Sequence, residues 1–224
     1  MPALGACQTT VDGWSNLLNT SNGNGLYAAS NAAFGFRLSG SLCSGCDGLT
    51  VGGGFNVGIQ GLHIDGFTAG NAITLAAAGA SVKGVRLTNN SVGIFHGGSA
   101  GILIGGLTAP DKNVMYRNGF GIHSSGQPVG TSSTIVNNII GFTESLAAPV
   151  SPGVKGIYFQ GSSDFYVGSN TIGHMSTAGV FTSGNSRLLA LQSGTTTANR
   201  IFDLVAGALA IDLDGDGITL NDGP

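Results

Sequence analysis

"GILIGGLTAPDKNVMYRNGFGIHSSG", residues 101–126, opens and closes on Gly-Ile phrases and turns between them through Pro110, Asp111 and two asparagines. The Gly-apolar-x-x phrase recurs at Gly61, Gly84, Gly101, Gly121, Gly156, Gly179 and Gly207, at intervals of 23, 17, 20, 35, 23 and 28 residues. A second phrase interleaves with it: Asn90-Ser-Val-Gly93, Asn138-Ile-Ile-Gly141 and Asn170-Thr-Ile-Gly173, with Asn118-Gly-Phe-Gly121 as a variant. No long stretch combines a 3.6-residue apolar period with helix caps, and the best helical candidates, 14–18 and 188–191, are short. Units this small cannot bury an apolar face alone, so they must stack, which predicts an all-β solenoid. Alternation within the phrases turns Leu62, Val85, Ile102, Ile122, Ile157 and Val180 inward. Each Gly-apolar phrase is expected to start a strand, with the next phrase one coil above it. About eight or nine coils at roughly 4.8 Å spacing would give a rod about 40 Å long. Asn90, Asn118, Asn138 and Asn170 are expected at the corners, satisfying buried backbone groups rather than binding a ligand.

Composition narrows the function classes. The chain has 224 residues, 40 of them Gly, with only 8 Lys and Arg and a net charge of −3. That length suffices for one continuous core. Its 42% hydrophobic content argues against disorder, and there is no Gly-x-y period for collagen. Scattered Lys and Arg leave no footprint for nucleic acid. No apolar run reaches the length of a membrane span. The start, "MPALGACQTT", has no basic region followed by an apolar core, so no signal peptide is visible, and "DGITLNDGP" stops in turn chemistry without a cap. We therefore expect a piece of a longer protein with further domains. Three cysteines, Cys7, Cys43 and Cys46, form no closed disulfide framework. The Cys43-x-x-Cys46 spacing reads as a loop holding either a short disulfide or two free thiols, because no further ligands complete a zinc site.

Several phrases resemble one known group. "LIGGLTAPDKNVMYRNGFGI" (103–122) is similar to the IGG-T-A-x-x-N-V-I-x-x-N-G-x-G-I phrase of bacterial right-handed parallel β-helix repeat proteins. "TIVNNIIGF" (134–142) resembles their N-x-I-G-T phrase, and "VGIQGLHIDGF" (57–67) resembles their opening coil. "ALAIDLDGDGITLNDGP" (208–224) is similar to the phrase that follows their last coils, although Asp214 stands where Gly is usual. The resemblance covers residues 50–224 and implies a pectate-lyase-like right-handed parallel β-helix, secreted or on the cell surface. It implies no reaction, because that fold hosts enzymes and non-catalytic modules alike. The domain reading is N-terminal coils or a cap over 1–50, β-helix repeats over 51–210 and an acidic turn over 211–224.

Candidate chemistry is sparse. A glycoside hydrolase needs carboxylates meeting across a cleft, and outside the C-terminal cluster the acids are isolated. A polysaccharide lyase needs a base, for which Lys83 and Arg86 are the nearest candidates. If the Gly-apolar phrases share one sheet, His63, Arg86, Leu103, His123, Tyr158, Phe181 and Leu209 form one outward column. His63, Arg86, His123 and Tyr158 within it are the candidate ligand-binding residues for an extended polysaccharide or cell-surface glycan. His96 and His174 read as loop or face residues. Asp212-Leu-Asp214-Gly-Asp216-Gly matches the first half of a Ca²⁺ loop, with Asp222 one place short of the usual twelfth ligand. Asp212, Asp214, Asp216 and Asp222 are therefore the candidate Ca²⁺ ligands; no other cofactor is implied. The leading expectation is a non-catalytic structural or adhesive module that binds glycan, and the alternative is a carbohydrate-active lyase or hydrolase with a site spread over several coils.

Overall fold

The computed structural model describes residues 9–149, 151–184, 186–190 and 198–213. The chain winds through three parallel sheets of seven strands each. One coil shows the plan: Ser81–Lys83 enters the first sheet, Arg86–Thr88 the second and Val92–His96 the third. The described residues thus make seven coils, a stack about 30 Å long. Spacing predicts about eight or nine coils over the whole chain; among the described residues the first coil takes all of residues 10–55. Residues 13–36 and 40–48 leave the sheets on excursions between its strands.

Each strand turns one apolar side chain to the axis, and parallel register aligns these into columns. In the second sheet Leu38, Ile64, Leu87, Met115, Ile140, Ile172 and Ile201 follow one another. In the third sheet the column is Leu49, Ile73, Ile94, Ile122, Ile157, Val180 and Ile211. Leu62, Val85, Ile102, Ile122, Ile157 and Val180 are all buried, as their alternation predicts. Each fully buried aliphatic side chain contributes about 1.5–3 kcal/mol relative to exposure.

Close approach explains the glycine that precedes the inward residue in the third sheet. A Cβ on Gly93 would lie 2.5 Å from the Gly121 carbonyl oxygen, one on Gly121 2.6 Å from that of Gly156, and one on Gly156 2.4 Å from that of Gly179. The phrase "Gly-Ile" here is a packing constraint repeated in these successive coils, whereas Ala72 and Ala210 hold the place in others.

The corners are tight, and their amides need partners inside the solenoid. Between the first and second sheets, Asn113 Nδ2 donates to Asn138 Oδ1 (2.9 Å), Asn138 to Asn170 (2.8 Å) and Asn170 to Asn199 (2.9 Å). Between the second and third sheets, Asn90 Nδ2 donates to Asn118 Oδ1 at 2.9 Å. The same side chains serve the backbone. Asn118 Oδ1 accepts from the Asn90 amide and Asn170 Oδ1 from the Asn138 amide, both at 3.0 Å. Asn90, Asn118, Asn138 and Asn170 are buried and structural, as read from the sequence; Asn113 is buried beside them and Asn199 is half-buried. The residue before each such turn at the second corner sits at positive φ: Gly66, Asn89, Arg117, Gly141, His174 and Asp203.

His96 corrects an expectation. It is fully buried rather than on a loop or face, because it occupies the inward column between Leu75 and Ser124. Its Nε2 reaches the Ser99 carbonyl at 2.7 Å and its Nδ1 the Ser124 hydroxyl at 2.8 Å. The neutral ring satisfies both contacts, donating to the carbonyl and accepting from the hydroxyl. Cys43 and Cys46 are disulfide-bonded, with Cα atoms 5.9 Å apart, and Cys7 lies outside the described residues.

The excursion over residues 13–36 is tied to later coils. The buried Lys112 Nζ donates to the Gly25 and Ala28 carbonyls at 2.6 and 2.7 Å, and Asn22 Nδ2 to the Ala109 carbonyl at 2.7 Å. The Ser30 amide donates to the Glu144 carbonyl, and Arg200 lies 4.1 Å over the Tyr27 ring. The segment therefore reaches from the first coil to the last.

Candidate functional site

The Gly-apolar phrases do not share one sheet, so the single outward column expected from them is not formed. Gly61 and Gly84 lead into the second sheet, Gly101 into the first, and Gly121, Gly156 and Gly179 open the third-sheet phrases. Leu103 accordingly lies on the first sheet, and Leu209 pairs with Ala178 rather than with Phe181. The physical reason is that an inward aliphatic after a tight turn is demanded at more than one corner of the coil.

His63 and Arg86 are register partners on the second sheet, under cover. Arg86 Nε pairs with the Glu144 carboxylate, and its guanidinium lies 4.8 Å over the Phe34 ring. Phe34 packs against Trp14 and against His63. The His63 ring bonds through Nε2 to the Thr88 hydroxyl at 3.0 Å, and that hydroxyl donates to Asp65 at 2.7 Å. Burial opposes ionisation of Asp65, but bonds from Asn89, Arg37 and Thr88 outweigh it and hold the carboxyl below its ordinary value. Burial, then the Arg86 charge, lowers His63 to about 4. Burial and the Glu144 charge raise Tyr116. Further along this face Val114, Ile139 and Phe142 form a small outer core with Leu146. Residues of the 13–36 and 142–149 segments thus cover the sheet, and His63 and Arg86 pack against or pair with that cover. Lys83 lies on the first sheet, paired with Asp111 at 3.5 Å, so it and Arg86 do not act together.

His123 and Tyr158 do come together, on the outer face of the third sheet. Register places Thr50, Thr74, Phe95, His123, Tyr158, Phe181 and Asp212 in one column. The His123 ring stacks on Tyr158 with centroids 4.5 Å apart and planes 14° from parallel. Phe95 meets His123, and Phe181 meets Tyr158, edge-on at 5.2 Å. Phe120 lies alongside, 5.6 Å from His123 and 5.7 Å from Tyr158. Lys155 Nζ stands 3.5 Å from the Phe181 centroid and 4.4 Å from that of Tyr158. Burial lowers Lys155, with the Asp212 charge opposing. Burial likewise lowers His123, opposed by its Nε2–H bond to Gln160 Oε1 at 3.3 Å. The Tyr158 hydroxyl meets Ser183 Oγ at 3.0 Å. All five rings are partly exposed. A ribbon of this kind offers apolar ring faces flanked by amide, hydroxyl and ammonium groups, which suits the C–H faces and hydroxyls of a sugar chain.

Phe95, Phe120 and Lys155 were not singled out from the sequence. Phe95 had a signal, since Gly93-Ile-Phe95 matches Gly121-Ile-His123, Gly156-Ile-Tyr158 and Gly179-Val-Phe181. Of the four carboxylates expected at Ca²⁺, Asp212 is buried beside Phe181, and its Oδ1 has no hydrogen-bond partner among the described residues. Asp214, Asp216 and Asp222 lie outside the described residues. No described helix is long and apolar enough to cross a membrane.

Three parallel sheets wound into one solenoid define a parallel β-helix. The family model for the right-handed β-helix region matches residues 71–224, and the chain belongs to that family. No curated protein and no solved structure matches the chain.

The two histidines lowered to about 4, His63 and His96, fix a pH dependence. The unfolded chain protonates them near 6.5, whereas the folded chain keeps them neutral down to about 4. Unfolded protein therefore binds more protons in this window, and stability falls as pH drops through it, by at most about 1.4 kcal/mol per pH unit for each fully buried ring. Urea midpoints should decline from pH 6.5 to 4, and less steeply in His96→Gln. Identical slopes in the two proteins would contradict the buried neutral His96.

Proposed function

We propose that this β-helix is a non-catalytic adhesive module of a secreted or cell-surface protein, binding an extended glycan along the third sheet. The observation that carries the reading is the partly exposed ribbon of Phe95, Phe120, His123, Tyr158 and Phe181; among the described residues the 40–48 excursion is tied to this face through Asp47 at Thr74, short of the rings. The distribution of acids supports a binding rather than a catalytic role. Asp47, Asp65, Asp111 and Glu144 are each engaged in local hydrogen bonds or ion pairs, and among the described residues no three His, Cys, Asp or Glu converge. Further domains of a longer chain would position the module at its surface.

The test is calorimetric titration with a panel of oligosaccharides, using the native chain and Tyr158→Ala. Loss of the central ring should raise Kd by about tenfold, as for a buried aromatic anchor. Unchanged affinity would remove the ribbon from the account, and oligosaccharide products released by the native chain would replace the module with a lyase or hydrolase. The proposal extends to a Ca²⁺ ion held by Asp212 with Asp214, Asp216 and Asp222, supported by the alternating carboxylates and the unpartnered Asp212 Oδ1. Chelation should lower the Tm of the native chain and leave Asp214→Ala unchanged; a native Tm indifferent to chelator would contradict the ion.

A further inference from the structure

Beside the aromatic ribbon, at the corner between the second and third sheets, runs an open groove of about 500 Å³ lined by Thr68, Asn89, Asn90, Ser91, Arg117, Gly119 and Ser151. It adjoins the start of the third-sheet strands, since Gly119 immediately precedes Phe120 and Ser91 precedes the Val92–His96 strand. Its lining holds one charge, that of Arg117, and no carboxylate. The nearby Asp65 is already neutralised by Arg37.

Among the cations whose side chains are described, Arg117 is unlike the others. Arg37, Lys83 and Arg86 are ion-paired, Lys112 donates to backbone carbonyls, and Lys155 and Arg200 lie over aromatic rings. Arg117 has no ion pair among the described residues, and its side chain is exposed. Its backbone stands at φ 57°, in the left-handed position that Gly66, Asn89, Gly141, His174 and Asp203 fill in other coils, the glycines and Asn89 at lower steric cost. At this corner the coil is thus built to carry a long cationic side chain where a small residue fits the backbone better. The hydroxyls of Thr68, Ser91 and Ser151 stand beside it as neutral donors.

We propose that this groove is an anion subsite, in which the Arg117 guanidinium grips an oxyanion, carboxylate or sulfate, carried on the ligand of the neighbouring ribbon. A guanidinium fork meets either group through two parallel N–H bonds, and the groove hydroxyls donate to the remaining oxygens. The inference rests on the glycan-binding reading of the third sheet and adds that the preferred glycan is acidic.

The experiment titrates the full chain at low salt with oligogalactan, oligogalacturonate and sulfated oligogalactan of equal length, in native form, as Arg117→Asn and as Tyr158→Ala. Asn suits the left-handed backbone, so the first variant should fold. We expect at least one anionic ligand to bind about tenfold tighter than the neutral one. That advantage should vanish in Arg117→Asn while neutral affinity stays unchanged. The better of the two anions identifies the oxyanion. An advantage that is absent in the native chain, or that survives in Arg117→Asn, overturns the inference while leaving the ribbon standing. Arg117-dependent anion binding that is insensitive to Tyr158→Ala supports the subsite and overturns the ribbon instead.

Discussion

Everything in this structure depends on turning a chain through a sharp corner without stranding its amides. A coil in the middle of the stack passes from Lys83 to Arg86 and from Thr88 to Val92 with only two or three intervening residues. Backbone groups at such corners point where no water reaches, and each buried group left unpaired costs about 1–3 kcal/mol. Asparagine meets the demand because its amide carries both a donor and an acceptor. Stacked along the axis, Asn113, Asn138, Asn170 and Asn199 satisfy one another and the main chain together. Register follows, since an Asn must lie directly above an Asn. From register follow the inward aliphatic columns and, on the outside, the aromatic one.

Two faces of one solenoid then take different roles. The second sheet is closed by excursions that Lys112, Arg86 and Ser30 fasten in place, and its polar residues are consumed in holding that cover. Among the described residues the third sheet is fastened only at its early end, where Asp47 of the 40–48 excursion bonds Thr74 and Asn71, and its rings remain partly exposed. Because the rungs are about 4.8 Å apart, aromatic residues at one position of successive phrases become a continuous ribbon without any loop to arrange them. The glycan-binding proposal and the acidic-ligand inference both use this rigid spacing.

Much of the fold was legible in the sequence, and less of the site. Repeating Gly-apolar and Asn-x-x-Gly phrases declared a stacked parallel solenoid, and alternation identified the inward Ile157 and Val180 correctly. The corner asparagines could be read because their chemistry fits one structural task. The sheet to which each phrase belongs was not legible. Gly84-Val-Arg86 and Gly121-Ile-His123 look alike, yet one enters the second sheet and the other the third. Spacing cannot separate them when excursions such as 13–36 and 142–149 change the residues per coil. Nor does local pattern announce that Arg86 pairs with Glu144, 58 residues further along (144 − 86), or that His96 takes an inward place between Leu75 and Ser124.

The central claim is that the asparagine ladder holds the register, and amide hydrogen exchange on the native chain and on Asn170→Ala tests it directly. The Asn138 amide donates to Asn170 Oδ1 inside the solenoid, so it should rank among the slowest to exchange in the native chain. In Asn170→Ala that amide should exchange much faster, together with those of the adjoining Ile135 and Ile139 strands, and stability should fall by about 2 kcal/mol. Unchanged protection at Asn138 and its neighbours would contradict the account, leaving apolar stacking alone to hold the coils in place.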